Sequence, residues 1–198
     1  MGLLDLEQQL AFYRAYHFNK VNVAIHLVFV PTILFSTVGF LSAIPLNQIT
    51  PFDLSGVPFF GKLYNLGAFL IASFSIYYIL LDRLGLVLTP LLLLISYSIS
   101  TLYDFYDKSE VVKGSLVLFG IGWAVQFVGH ALFERRAPAL FDNLVQALVL
   151  APYFVAFEVV FALGFRKDLQ KKMNNHAGKL MLEFRTREKG HPVVEKTD

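Results

Sequence analysis

Cysteine is absent from the 198 residues, which excludes disulfides, thiolate-bound zinc, iron–sulfur clusters and cysteine nucleophiles. His and carboxylate side chains are then the only strong metal ligands on offer, and His numbers only 5. Charge is scarce as well. Asp, Glu, Lys and Arg make up 16% of the chain, against about 25% in ordinary soluble proteins. A net charge of +2 is too small to argue for nucleic acid as a partner. No GxSxG elbow, phosphate-binding loop or GxGxxG turn is present, so neither a serine-hydrolase nor a nucleotide-cofactor signature applies. Internal repeats and low-complexity segments are missing too. The start of the chain has no basic stretch followed by an apolar core, so a cleavable signal peptide is not expected and the first apolar helix directs insertion.

What remains is strongly apolar: 56% of the residues, with 20 Phe and 9 Tyr. Long apolar runs recur along the chain, the pattern of an all-α, polytopic transmembrane bundle. Residues 3–18 read as an amphipathic helix on the membrane surface, with Leu3, Leu6, Leu10 and Tyr13 at helical spacing and Asp5, Glu7, Gln8 and Arg14 on the wetter side. About five apolar helices follow, over 21–44, 64–81, 84–103, 115–133 and 143–165, with Pro31, Pro90 and Pro152 inside them. The Pro/Gly-rich residues 45–63 and the charged residues 104–113 read as loops. Glu158 is a lone acid in the fifth run. Residues 1–165 are expected to form an integral membrane catalytic domain, and 166–198 a polar, basic tail, helical at first and then frayed, suited to anionic headgroups.

Three polar side chains break the fourth run. Gln126, His130 and Glu134 stand at i, i+4 and i+8 on one helix face. Hydrocarbon offers them no water, so the row must face protein, a cavity or an ion. One reading is polar glue between two membrane helices; the other is metal ligation by His130, with Glu134. Near the first run stand His17, Asn22 and His26, the last two one turn apart. If every run crosses once, His17 and His26 share a membrane face with His130 and Glu134. Pooled, His17, His26, His130 and Glu134 give a sulfur-free N/O ligand set suited to Fe(II) or Zn(II). Asn22 and Gln126, each one turn before a candidate ligand, are expected to orient the imidazoles. Arg135 and Arg136 are placed either to receive a substrate carboxylate or to anchor the helix end by the positive-inside bias. His176 is a further candidate ligand or a solvated tail residue, and His191 lies in the polar tail.

Several stretches together resemble a known family. They are Leu3–Leu6, Tyr16-His17, Asn22–His26, Phe29–Ser36, Gly122-Trp123, Gln126–His130, Phe133-Glu134 with Arg136, Pro138–Leu140, Asp142–Gln146 and Leu148–Phe154. All look like the family named for metabolism of phytosphingosine to odd-numbered fatty acids, and the likeness runs from Leu3 to about Phe165. Fungal members of that family are 2-hydroxy fatty acid dioxygenases of the endoplasmic reticulum. The resemblance implies an Fe(II)-dependent α-oxidation of a 2-hydroxy fatty acid with O2, giving CO2 and the acid one carbon shorter. It also implies a multi-pass protein in that membrane, and the charge bias turns its site toward the cytosolic face. Family histidines are held to carry the iron, a role that falls here on His17, His26 and His130; Glu134 is added from spacing. The five histidines do not form the clustered boxes of membrane di-iron hydroxylases. Two other readings use the same residues: a zinc-dependent membrane lipid hydrolase, and a non-enzymatic lipid-binding scaffold or transporter.

Overall fold

The computed structural model describes residues 2–135, 137–138 and 143–188. Among these the chain is helical, without strands. Helix α1 spans Leu6–Arg14, α2 Lys20–Leu41, α3 Leu66–Leu81, α4 Leu84–Phe105, α5 Lys108–Gly129, α6 Leu144–Ala162 and α7 Lys167–Glu188. Among the described residues, three segments are long and apolar enough to cross a membrane: α2, α4, and α5 with its continuation to Glu134. Helix α3 and residues Gln146–Ala162 are apolar but shorter. At 1.5 Å per residue, a helix of α3's length reaches about 24 Å, short of a bilayer core of about 30 Å.

One expectation needs correction. Residues 104–113 are not a loop: α4 runs on to Phe105 and α5 begins at Lys108. Asp107 bridges them, its carbonyl accepting from the amides of Glu110 and Val111. The charged residues there are the wet ends of two helices whose backbone bonds continue past the apolar stretch. The polar tail begins as a helix, as expected of it. It forms the 22 residues of α7, which bury Met173 and Ala177 on one face.

The chain divides into two compact units, Met1–Ala24 with Gly129–Asp198, and Ile25–Val128. In the first, α1 starts where the Asp5 side chain accepts from the Gln8 amide, a common N-cap bond. Helix α1 packs on α7 and α6 through small residues, Ala11, Ala15, Ala147 and Ala177, with Tyr16, Phe12, Leu180 and Phe184 filling in around them. Alanines let the helix axes approach while the rings cover the seam.

The second unit exposes apolar side chains where a soluble domain exposes polar ones, and it buries several small polar residues among its apolar core. Val28, Phe69, Ile76, Leu80, Val87, Leu94 and Val117 are exposed, while Ser36, Asn65, Ser75, Ser96 and Ser100 are buried. An apolar exterior, with small polar residues bonded inside, is what a lipid solvent selects. On α4, Leu92, Ser96 and Ser100 form the buried stripe at four-residue spacing, and this helix packs on α3. Asn65 caps α3 by accepting from the Ala68 amide and donates to Ser100 Oγ at 3.1 Å. At the other end, Gly85 fits against α3 so closely that a Cβ there would sit 2.3 Å from the Tyr78 carbonyl carbon.

Candidate metal centre

His17 stands just past the end of α1, in the non-helical link to α2. Tight turns bring it there: Tyr16 N–H donates to the Tyr13 carbonyl and His17 N–H to that of Arg14. Its ring lies flat on Tyr13, with centroids 4.3 Å apart and 5° between planes. His17 Nδ1 is 2.7 Å from the Tyr13 carbonyl oxygen. A carbonyl can only accept, so Nδ1 carries the proton and Nε2 carries the ring's lone pair. This is how ligating histidines are commonly held, one nitrogen on a backbone carbonyl and the other toward a cation. Phe154 of α6 closes the aromatic wall, 4.5 Å from Tyr13 and 5.6 Å from His17 between centroids. Burial pushes the Tyr13 phenol above its ordinary pKa, so that ring stays neutral.

Asn19 starts α2, its side chain accepting from the Val21 amide at 2.8 Å. One turn in, Asn22 is fully buried, and one turn further His26 is 1% exposed. His130, 4% exposed, opens a π-helical turn over His130–Glu134 that Arg135 ends in the left-handed region at φ 52°. A wider turn of this kind inserted at the end of an α-helix is frequent at functional sites. The His17 and His130 rings meet edge to face, with centroids 4.8 Å apart. One ring nitrogen from each of His17, His26 and His130 lies within 4.8 Å of the others, and all three residues are buried.

The donor set fits a divalent transition metal. Three buried imidazoles with converging nitrogens, one of them fixed in the tautomer that presents Nε2, suit Fe(II) or Zn(II) and offer nothing to Ca2+ or Mg2+, which take oxygen ligands. Glu134 is not one of the grouped donors. Its Oε1 instead accepts from the Asn19 amide at 2.9 Å and from Asn22 Nδ2 at 3.1 Å. That puts a carboxylate at the N-terminus of α2, where the helix dipole favours negative charge. Gln126 is buried one turn before His130, and its Nε2 has no hydrogen-bond partner among the described residues. Arg135 is exposed, and Arg136 lies outside the described residues, as does His191. His176, half-buried on α7, is not in the group.

Arg14 was legible only as part of a wet helix face, yet its guanidinium reaches Glu158 of α6 at 3.5 Å. A lone acid in an apolar run calls for a cation, and that rule could have directed attention to a partner for Glu158.

The sequence model of the family described as 2-hydroxy-palmitic acid dioxygenase Mpo1-like matches residues 3–163. The chain belongs to the Mpo1-like family. Among its relatives is the 2-hydroxy-palmitic acid dioxygenase MPO1 of Saccharomyces cerevisiae, 46% identical over 176 residues, which cover 88% of this chain and 90% of the yeast protein. No solved structure matches the chain. The Mpo1-like match takes in α1 to α6, with all three grouped histidines and Glu134, and stops before α7.

Proposed function

We propose that the protein is a membrane-embedded dioxygenase that shortens a 2-hydroxy fatty acid by one carbon. The observation that carries this reading is the grouping of His17, His26 and His130 in a chain 46% identical to a relative named for that activity. The reaction balances without a further reductant. R–CH(OH)–COOH and O2 give R–COOH, CO2 and H2O; the C1–C2 bond breaks, and the four electrons given up by the two carbons reduce O2 fully. An external electron donor or 2-oxoglutarate is then not required.

Fe(II) is the proposed metal, held by the three imidazoles. When bound, it would supply an electrophilic centre for a hydroxy acid and reactivity toward O2. The chain's own residues do the rest. Tyr13 holds the His17 ring from below and keeps its proton on Nδ1. Phe154 and the Tyr13 ring keep water from that side of the centre. Glu134 fixes Asn19 and Asn22, and through them the first turn of α2 that leads to His26. Arg135 is the proposed receptor for the substrate carboxylate, being exposed next to the π turn. The acyl chain is then accommodated in the bilayer beside exposed Leu132 and Phe133. All five apolar helices are proposed to lie in the endoplasmic reticulum membrane, with the site toward the cytosol.

The test is oxygen uptake by the purified, iron-loaded protein with 2-hydroxypalmitate. One O2 consumed per pentadecanoate and CO2 formed is expected. Turnover of 2-hydroxypalmitate under strict anaerobiosis would overturn the dioxygenase.

A further inference from the structure

The His17 ring sits on a segment that belongs to no helix, so something other than a helical ladder must hold its backbone. Arg14 does this from three helices at once. Its Nη1 donates to the His17 carbonyl at 3.0 Å, its Nε donates to Asn174 Oδ1 of α7 at 3.2 Å, and its Nη1 lies 3.5 Å from Glu158 Oε1 of α6. The guanidinium carbon also stands 5.3 Å over the Phe18 ring centre, which fixes the other side of the same link. The Arg14 and Glu158 side chains are only 18% and 15% exposed. Taking either charge into such surroundings is costly unless it is met by its opposite, so the pair is held and the guanidinium has little freedom to wander.

We infer that Arg14 is the positioning residue for His17, and that α7, which lies beyond the family match, supports the metal centre by fixing Arg14 through Asn174. The inference rests on the metal-binding reading above. A planar guanidinium suits the task because its donors diverge at fixed angles, so that a bond at Nε fixes the direction of the bond at Nη1. Lysine has one compact ammonium and cannot transmit that constraint. Asn174 is half-buried and removable without opening the core, which rests on its neighbours Met173 and Ala177.

The experiment uses the full-length protein in detergent with Co(II) as the probe, in wild type, Asn174→Ala, Asn174→Asp and Arg14→Lys. Partners outside the ligand set commonly change metal affinity by about 10- to 100-fold. The expected result is about tenfold weaker Co(II) binding in Asn174→Ala and Arg14→Lys, with recovery in Asn174→Asp, whose carboxylate still accepts from Arg14 Nε. A second readout needs no metal. In 15N-histidine spectra of metal-free protein, the wild-type His17 signals show the single Nδ1–H tautomer, and those of Asn174→Ala show exchange between two. Unchanged Co(II) affinity and an unchanged His17 tautomer in Asn174→Ala would overturn the inference, leaving Arg14 as a cross-link between helices, whatever the melting temperature does. If the wild type binds no Co(II), the metal-binding reading falls, and the His17 signals still decide whether Arg14 and Asn174 position that ring.

Discussion

His17 and Tyr13 are joined twice, once ring on ring at 4.3 Å and once by a 2.7 Å bond from Nδ1 to the Tyr13 carbonyl. The backbone bond does not depend on the Tyr13 side chain, while the stack needs an aromatic ring there, so the two can be separated. Tyr13→Phe keeps the ring and is expected to leave metal content unchanged. Tyr13→Ala removes a buried ring and is expected to cost about 3–5 kcal/mol, with lower metal content. Thermal melts paired with metal analysis check both.

Removing one imidazole from three leaves two, too few to hold the ion against detergent and buffer. His26→Ala and His130→Ala are each expected to drop iron from near one equivalent to near none, measured by elemental analysis of purified protein. Circular dichroism should show the helices intact. Iron retained in either variant would sink the three-histidine centre.

Glu134 separates a ligand from a support. Its Oε1 accepts two hydrogen bonds, and the Oε1 of glutamine can accept both. Glu134→Gln is therefore expected to keep iron and most activity. Glu134→Ala leaves a buried Asn22 amide and the Asn19 amide without that acceptor, a loss of about 1–3 kcal/mol. Loss of iron in Glu134→Gln would instead restore the carboxylate to the ligand set.

Gly85 tests the packing of α4 on α3 away from the centre. A Cβ there would come within 2.4 Å of three Tyr78 and Ile79 backbone atoms, which cannot rotate aside as a side chain would. Gly85→Ala is expected to destabilise by about 1–3 kcal/mol, read as a lower melting temperature with iron stoichiometry unchanged.

The histidines were legible in the sequence because imidazoles in apolar runs are conspicuous and the helix period places them at run ends. The helices themselves were legible for the same reason, although apolarity alone did not reveal that α3 has only 16 residues. Glu134 was harder. Its spacing from His130 assumed an α-helical face, and the structure has a π turn there, with the carboxylate bound to the start of α2. Arg14 and Asn174 are 160 residues apart, and no periodicity links residues at that separation. The helical start of the tail was legible, but the full extent of α7 was not, since only one narrow face, Met173 and Ala177 among it, is buried.

The π turn from His130 to Glu134 makes this stretch sensitive to length as well as to composition. Its backbone closes across five residues instead of four. A chain one residue shorter here could wind as ordinary α-helix, and everything after the deletion would swing by about 100° and shift by about 1.5 Å along the axis. Glu134 would then leave the entrance of α2 while His130 stayed where it is. Register at this point, set by one surplus residue, decides whether the support for Asn22 and the imidazole of His130 belong to the same centre.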